Sequence, residues 1–376
     1  MTFPESKSSA KLPKLEEMLL FSRTNFFCEA LCDAKRDFVA VTGGGTKVEL
    51  INGSTGETIW TKEISTSIAG ILSVSASPRD PLIALGTEEG SILLWNYTNS
   101  EQEGCFTVLP PAPTQRRQNT NRWVEKICWS KNGMFVGGAA GQRAVLAKKI
   151  GWGGHVAEIV TEGNSVSAIE MCGDGIMAVG SYGTVQWAGA EGKPDLKRGA
   201  AAVLALSVSG DGEVAVGFLD KTLRVYGLGR SKDKDWCGFD SGVNLVEYSE
   251  GGEYLAAAGG AALLIVPRGL EPGEPPIICR TPGMAEQDGI GNLGRFTALS
   301  WGGSVVVAFE GRAGRVHIFD PLVVSDGFPR RAVNICSVEV SGVGLGQVFC
   351  CADSGDGQVL VGVGRGKVLS VLKWEP

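Results

Sequence analysis

Histidine is almost missing from this chain: His155 and His317 are its only imidazoles. Neither stands at metal-ligand spacing from a cysteine or a carboxylate, so the usual zinc ligand sets are not expected. The sequence holds 10 cysteines but no pair of Cys-x-x-Cys motifs, and Cys28 with Cys32 lacks a second ligand pair. Cys28, Cys128, Cys172, Cys279, Cys336 and Cys350 lie inside apolar strand patterns, where a thiol behaves as a small buried hydrophobe. No uninterrupted apolar run approaches the length of a membrane span, and residues 1–13 are polar with no secretory core. The expectation is a reducing intracellular compartment, cytoplasmic or nuclear. Basic charge is not in excess either. With 35 Lys and Arg against 41 Asp and Glu the formal charge is −6, which argues against a general nucleic-acid binder.

The motifs of common chemistry are missing as well. Gly362-Val363-Gly364-Arg365-Gly366-Lys367 is one residue short of a phosphate-binding loop, and Val368 stands where a hydroxyl residue would meet magnesium. Gly43-Gly44-Gly45-Thr46-Lys47 fails for the same reasons. No Gly-x-Ser-x-Gly elbow stands at a strand-to-helix turn. No catalytic residue, cofactor or metal is therefore expected, although distant residues can still converge at the axis of a ring.

What the chain has in quantity is glycine, 54 residues, and it is placed periodically. A short β-unit recurs about every 40–50 residues. It consists of an apolar strand, a turn of Gly with Asp or Asn, a second apolar strand ending in Gly, and a third strand with an aromatic near its end. Five turns show it best: Ser130-Lys131-Asn132-Gly133, Cys172-Gly173-Asp174-Gly175, Ser209-Gly210-Asp211-Gly212, Ser249-Glu250-Gly251-Gly252 and Ser354-Gly355-Asp356-Gly357. Their composition predicts type I′ hairpin turns. The second strands are Leu82 to Gly86, Met134 to Gly137, Ile176 to Gly180, Val214 to Gly217, Tyr254 to Ala257 and Val305 to Ala308 in the second to seventh repeats. An eighth repeat begins at Val348 and the printed sequence stops before its fourth strand; Met18-Leu19-Leu20-Phe21, ahead of the first repeat, is strand-like and fills the gap. The expected architecture is an all-β propeller of four-stranded antiparallel blades, eight favoured and seven as the alternative, because a weak fourth strand near 195–198 leaves the count open. The expected domains are a flexible tail over 1–15 and a single propeller over 16–376, closed by the amino-terminal strand in the last blade.

The repeats resemble the WD40 family over essentially the whole chain. Leu94-Trp95-Asn96, Val225-Tyr226-Gly227 and Ile318-Phe319-Asp320 stand where that family has its Trp-Asp ending. With two histidines, the family's Gly-His element is absent from nearly every repeat, and with it the Asp-His-Ser/Thr-Trp network. Packing is left to hold the blades. A single Thr55-Gly56 followed by Trp60 is similar to an element of quinoprotein-like propellers, which commonly have eight blades; no quinone cofactor is implied.

Most turns are tight, so long connections stand out. One runs from Pro110 to Arg122 with Arg116, Arg117 and Arg122 on a proline-stiffened stretch ending at Trp123; the other, 281–295, holds Met284 and Glu286. Arg and Trp are frequent contact residues, and solvated insertions with Trp123 packed on its own blade are the alternative. In propeller order both connections fall on one face. The resemblance and these loops imply a non-catalytic scaffold or adaptor that binds proteins, as subunit of a larger complex. The alternatives are a subunit of an RNA-associated complex using the 110–123 loop, and a small-ligand binder or enzyme at the axis.

Overall fold

The computed structural model describes residues 19–374 except 29, 34–37, 43–45, 53–54, 65–69, 109–121, 150–154, 162–163, 174, 190–191, 228–232, 272–273, 280–294, 303, 312–313, 326–330, 340–347 and 354–358. Every element in these residues is a strand, and neighbours in sequence pair antiparallel. The second repeat shows the pattern. Ile71–Ala76, Leu82–Thr87, Ser91–Asn96 and Glu101–Thr107 lie side by side in chain order, and Ser75, Ala84, Leu94 and Gly104 form one row across the sheet.

Burial explains why the second strands read as unbroken apolar runs. Leu82–Thr87, Val214–Phe218 and Val305–Glu310 are buried at every residue, because a neighbouring sheet covers each face. Each core is accordingly shared between two repeats. Leu82, Ala84, Ile92, Leu94 and Phe106 of the second repeat pack with Val124, Trp129, Val136 and Val145 of the third. The same sharing links the fourth repeat to the fifth and the sixth to the seventh. It also accounts for the glycine that ends the second strand. A Cβ on Gly217 would lie 2.2 Å from the carbonyl oxygen of Val243, and one on Gly86 would lie 2.3 Å from that of Val124. The next repeat's chain approaches so closely that no side chain fits.

Three of the five turns differ from the type I′ expectation. In them only the last glycine takes a positive φ: Gly133 at 69°, Gly212 at 93°, Gly252 at 70°, whereas Asn132, Asp211 and Gly251 do not; in the turn after Cys172 both Gly173, at 68°, and Gly175, at 82°, are positive, and Asp174 lies outside the described residues. The backbone N–H of Gly133, Gly212 and Gly252 donates to the carbonyl of the serine three residues earlier, at 2.8–3.1 Å. This is a type I turn followed by a left-handed glycine. The serine at its start is the reason. Ser209 Oγ donates to Asp211 Oδ1 at 2.6 Å and accepts the Glu213 N–H at 2.9 Å; Ser130 and Ser249 accept from Phe135 and Tyr254 in the same way. Gly357 and its turn lie outside the described residues.

Two junctions depart from separate four-stranded sheets. The segment near 195–198 is part of one long strand, Gly192–Val208, which first pairs with Ile176–Gly189 and then with Val214–Phe218, joining the fourth and fifth repeats. In the sixth and seventh repeats the outer strands Ile277–Cys279 and Arg331–Glu339 pair in parallel, Ile278 opposite Arg331. The inner strands pack in sequence: Ala30–Asp33 on Ile71–Ala76, then Val124–Trp129, Ala168–Met171, Gly192–Val208, Leu245–Tyr248, Phe296–Gly302 and Val348–Asp353, which returns to Ala30–Asp33. Leu19–Cys28 pairs antiparallel with Val359–Trp374, Phe21 opposite Val371 and Thr24 opposite Val368.

Candidate interaction face

The strands have two unlike ends. One carries the compact serine turns. At the other, the inner strand begins and the second strand ends, and both long connections leave and rejoin there. Val108 donates its N–H to the Gly90 carbonyl at 2.7 Å before the first connection; Arg122 follows it and places Nη2 2.7 Å from the Glu89 carbonyl oxygen. The guanidinium of one repeat thus docks on the turn of the repeat before it. The second connection follows Cys279, and after it Phe296 donates to the Gly260 carbonyl at 3.0 Å.

Of the residues singled out from sequence, Trp123 is 48 % exposed beside Val124, and Arg122 is anchored as described. Arg116, Arg117, Met284 and Glu286 lie outside the described residues. Trp123 is not alone at this end. Val160, Tyr182 and Leu219 are also large, apolar and mostly exposed, and they end strands or form turns of the third, fourth and fifth repeats on this same side. Sequence reasoning missed all three, since each looks like one more strand residue; the signal was their position beside Gly183, Asp220 and other turn residues. Trp236, by contrast, is buried against Val225 and Leu255 in the core shared by the fifth and sixth repeats.

The inner strands contribute a row of polar residues at equivalent positions: Ser75, Glu170, Ser207, Glu247 and Ser300 pair with Ala84, Ala178, Ala215, Ala256 and Val307 on their second strands. They tie neighbours together. Tyr248 donates its N–H to Ser207 Oγ at 3.0 Å, Trp129 its indole N–H to the Ser75 carbonyl at 3.1 Å, and Trp301 its indole N–H to the Glu247 carbonyl at 2.9 Å. The Glu247 carboxyl also takes the Trp301 backbone N–H and, at 3.3 Å, the Ser300 hydroxyl. Burial pushes Glu170 up to about 7 and Glu247 up to about 8, and the charge on Glu170 adds to the effect on Glu247. Burial also pushes the thiols of Cys128, Cys172 and Cys279 up, away from thiolate chemistry.

Two third-strand tryptophans leave a buried donor unsatisfied. The buried indole nitrogens of Trp95 and Trp187 have no hydrogen-bond acceptor. Trp187 approaches the Cys172 thiol without a bond of ordinary geometry, and its ring meets Tyr226 of the next repeat edge-on at 6.1 Å. His317 is the exception to imidazole scarcity: its Nε2 lies 3.0 Å from Glu310 Oε2 within the buried core. That partner is seven residues away, across the hairpin, where spacing rules for metal ligands do not look. Among the described residues no group of three His, Cys, Asp or Glu side chains is placed to hold a metal ion.

The fold is that of WD40 β-propellers. A C-terminal WD40 domain of Sif2 superposes with a TM-score of 0.72 at 12% identity, covering 95% of this chain and 98% of that one. A computationally designed protein, Ika8, gives 0.71 at 14% identity over 95% and 100% of the two chains, and a chain of the mitotic checkpoint complex gives 0.61 at 11% over 100% and 97%. No family model matches the sequence, and no curated protein matches it either. At these identities the likeness carries the architecture alone.

Proposed function

We propose that this chain is a non-catalytic intracellular scaffold or adaptor, which binds protein partners through the end of the propeller that bears its long connections. The observation that carries the reading is the asymmetry of the two ends. Both insertions leave and rejoin at one end, beside exposed Trp123, Val160, Tyr182 and Leu219, while Ile59, Ile176 and Leu322 are exposed toward the end of the serine turns. Large apolar side chains left in water beside two long insertions mark a contact surface. One of the similar structures is a chain of a multi-protein assembly, which agrees with a role as complex subunit. In this reading Arg116, Arg117, Arg122, Trp123, Met284 and Glu286 belong to the contact face. The propeller spans 16–376 with eight blades, supported by the cyclic packing of the inner strands, and residues 1–15 are a tail. The amino-terminal strand closes the last blade, supported by its pairing with Val359–Trp374.

Arg116→Glu with Arg117→Glu tests the loop. Affinity purification followed by mass spectrometry should lose at least one partner, while circular dichroism and melting temperature stay unchanged, since exposed charges contribute little to stability. RNase treatment should leave the complex intact; its dissolution would favour an RNA-associated role. An unchanged partner set would remove these arginines from the face.

A further inference from the structure

At most junctions a connection bridges one repeat to the next, but between the fourth and fifth a single strand, Gly192–Val208, runs through. Among the described residues no loop covers the crossing. The residues there are Gly199, Ala200, Ala201, Ala202, Val203 and Leu204, and Ala201, Ala202 and Leu204 are only half-buried. Two large side chains stand on either side. Tyr182 lies opposite Ala202 in register and is 59 % exposed; Leu219 donates its N–H to the Ala202 carbonyl at 2.9 Å and is 56 % exposed. Leu204 and Leu219 close around Gly242, where an added Cβ would meet Leu204 Cδ1 at 2.7 Å and Leu219 Cδ1 at 3.3 Å. The apolar surface is therefore continuous from Tyr182 to Leu219.

Two cations flank it. Arg198, opposite Thr184, and Lys221, in the turn after Leu219, are both exposed, and neither is engaged in an ion pair among the described residues. Lys221 sits at φ 70°, an unusual conformation for a lysine. The neighbouring Asp220 turns its carboxylate to Thr222, accepting the N–H at 3.2 Å and the hydroxyl at 2.6 Å, and so stands beside Lys221 without an ion pair to it among the described residues. Asp240 is exposed but lies against Gly260 of the sixth repeat. In a chain with net charge −6, two exposed cations outside any ion pair among the described residues leave this platform able to receive carboxylates.

We propose that the fourth–fifth junction docks a partner segment that carries one or two large apolar side chains with carboxylates beside them. The apolar side chains cover Ala202 and Leu204 between Tyr182 and Leu219, and the carboxylates meet Arg198 and Lys221. This rests on the scaffold reading above and specifies which part of the face is used and by what.

A displayed random-peptide library, selected on the intact protein, tests it. An enriched peptide is then synthesised and its binding measured by fluorescence anisotropy at low and high salt. The expected sequences place Asp or Glu next to Leu, Ile, Phe or Trp. Tyr182→Ser with Leu219→Ser should weaken binding at least tenfold. Arg198→Glu with Lys221→Glu should do the same, with the loss shrinking as salt rises. Lys131→Glu, in a serine turn at the opposite end, should leave this affinity unchanged. Peptides without acidic residues, or affinity indifferent to both platform pairs, overturn the proposal. Binding that depends on Arg116 and Arg117 alone also overturns it and leaves the scaffold reading standing. A dimer in sedimentation that dissociates on Tyr182→Ser with Leu219→Ser overturns it in favour of a second copy as occupant. Melting curves of each variant confirm that the fold is retained.

Discussion

The carboxylate of Glu310 and the imidazole of His317 meet at 3.0 Å inside the seventh repeat, with Phe296 edge-on to the ring at 6.1 Å and Phe319 stacked on it at 6.2 Å. Two polar groups enclosed by aromatics depend on each other. His317→Phe alone or Glu310→Leu alone removes this contact from a buried polar group and should cost about 1–3 kcal/mol. Replacing both should cost much less than the sum. Urea unfolding of the four proteins measures the coupling; additive losses would show that the pair is not a unit.

The inner-strand glutamates give the stability a pH dependence. Both carboxyls titrate above their ordinary value of 4.5 in the folded state, Glu170 at about 7 and Glu247 at about 8. Over that window the unfolded chain is ionised while the folded one holds its protons. Stability is therefore fullest below about pH 4.5 as far as these two groups are concerned, falls as pH rises, and levels off above about 8. Burial sets both shifts; the Met171 N–H and Lys131 oppose it at Glu170, and the Trp301 N–H and Ser300 hydroxyl oppose it at Glu247, where the charge of Glu170 adds to it. Each side chain remains partly open to the axis, so solvent moderates the slope. Melting temperature should drop between pH 6 and 9 in the wild type and drop less in Glu247→Gln. A wild type whose melting temperature is flat over that range would contradict it.

The tryptophans separate bonded from unbonded indoles. Trp301 donates to the Glu247 carbonyl, whereas Trp187 has no acceptor. Substitution by Phe removes similar volume at both sites, so Trp301→Phe should destabilise by about 1 kcal/mol more than Trp187→Phe. Equal losses in denaturant melts would mean that the Trp301 bond contributes nothing.

The strand-ending glycines were readable as a repeat, but their cause was not. From the residues alone Gly217 looks like turn chemistry; its real constraint is the Val243 carbonyl of the next repeat, a contact between units that no local pattern encodes. The turns show the reverse case. Asp211-Gly212 suggested two positive φ angles, and the serine two residues before Asp211 was on the page without its role as the group that holds a type I turn. Strand order and third-strand aromatics were legible because burial on both faces imposes long apolar runs. The platform beside Ala202 was not, because exposure of Tyr182 and Leu219 depends on the missing loop between two repeats. Gly217→Ala should therefore cost about 1–3 kcal/mol by overpacking, while Gly251→Ala, where the nearest atom is Glu253 Cγ at 3.7 Å, should be close to neutral. Comparable melting shifts at the two sites would remove the close-approach argument.

Closure of the ring can be tested at its seam. Leu19–Cys28 pairs with the last long strand through Leu19 opposite Leu372, Ser22 opposite Ser370, Arg23 opposite Leu369 and Thr24 opposite Val368. Removing residues 1–22 deletes the start of this strand and exposes backbone donors and acceptors at 370–372, an edge of the kind that recruits other chains. It also shortens the seam to Arg23 opposite Leu369, Thr24 opposite Val368 and Cys28 opposite Gly366, beside the inner-strand contact of Ala30–Asp33 with Val348–Asp353. The truncated protein should aggregate or melt at a much lower temperature. Removing residues 1–12 takes away none of the paired residues and should be nearly silent. Light scattering and calorimetry on the two truncations give the comparison. A monomeric 1–22 deletion with wild-type melting would show that the seam is held elsewhere.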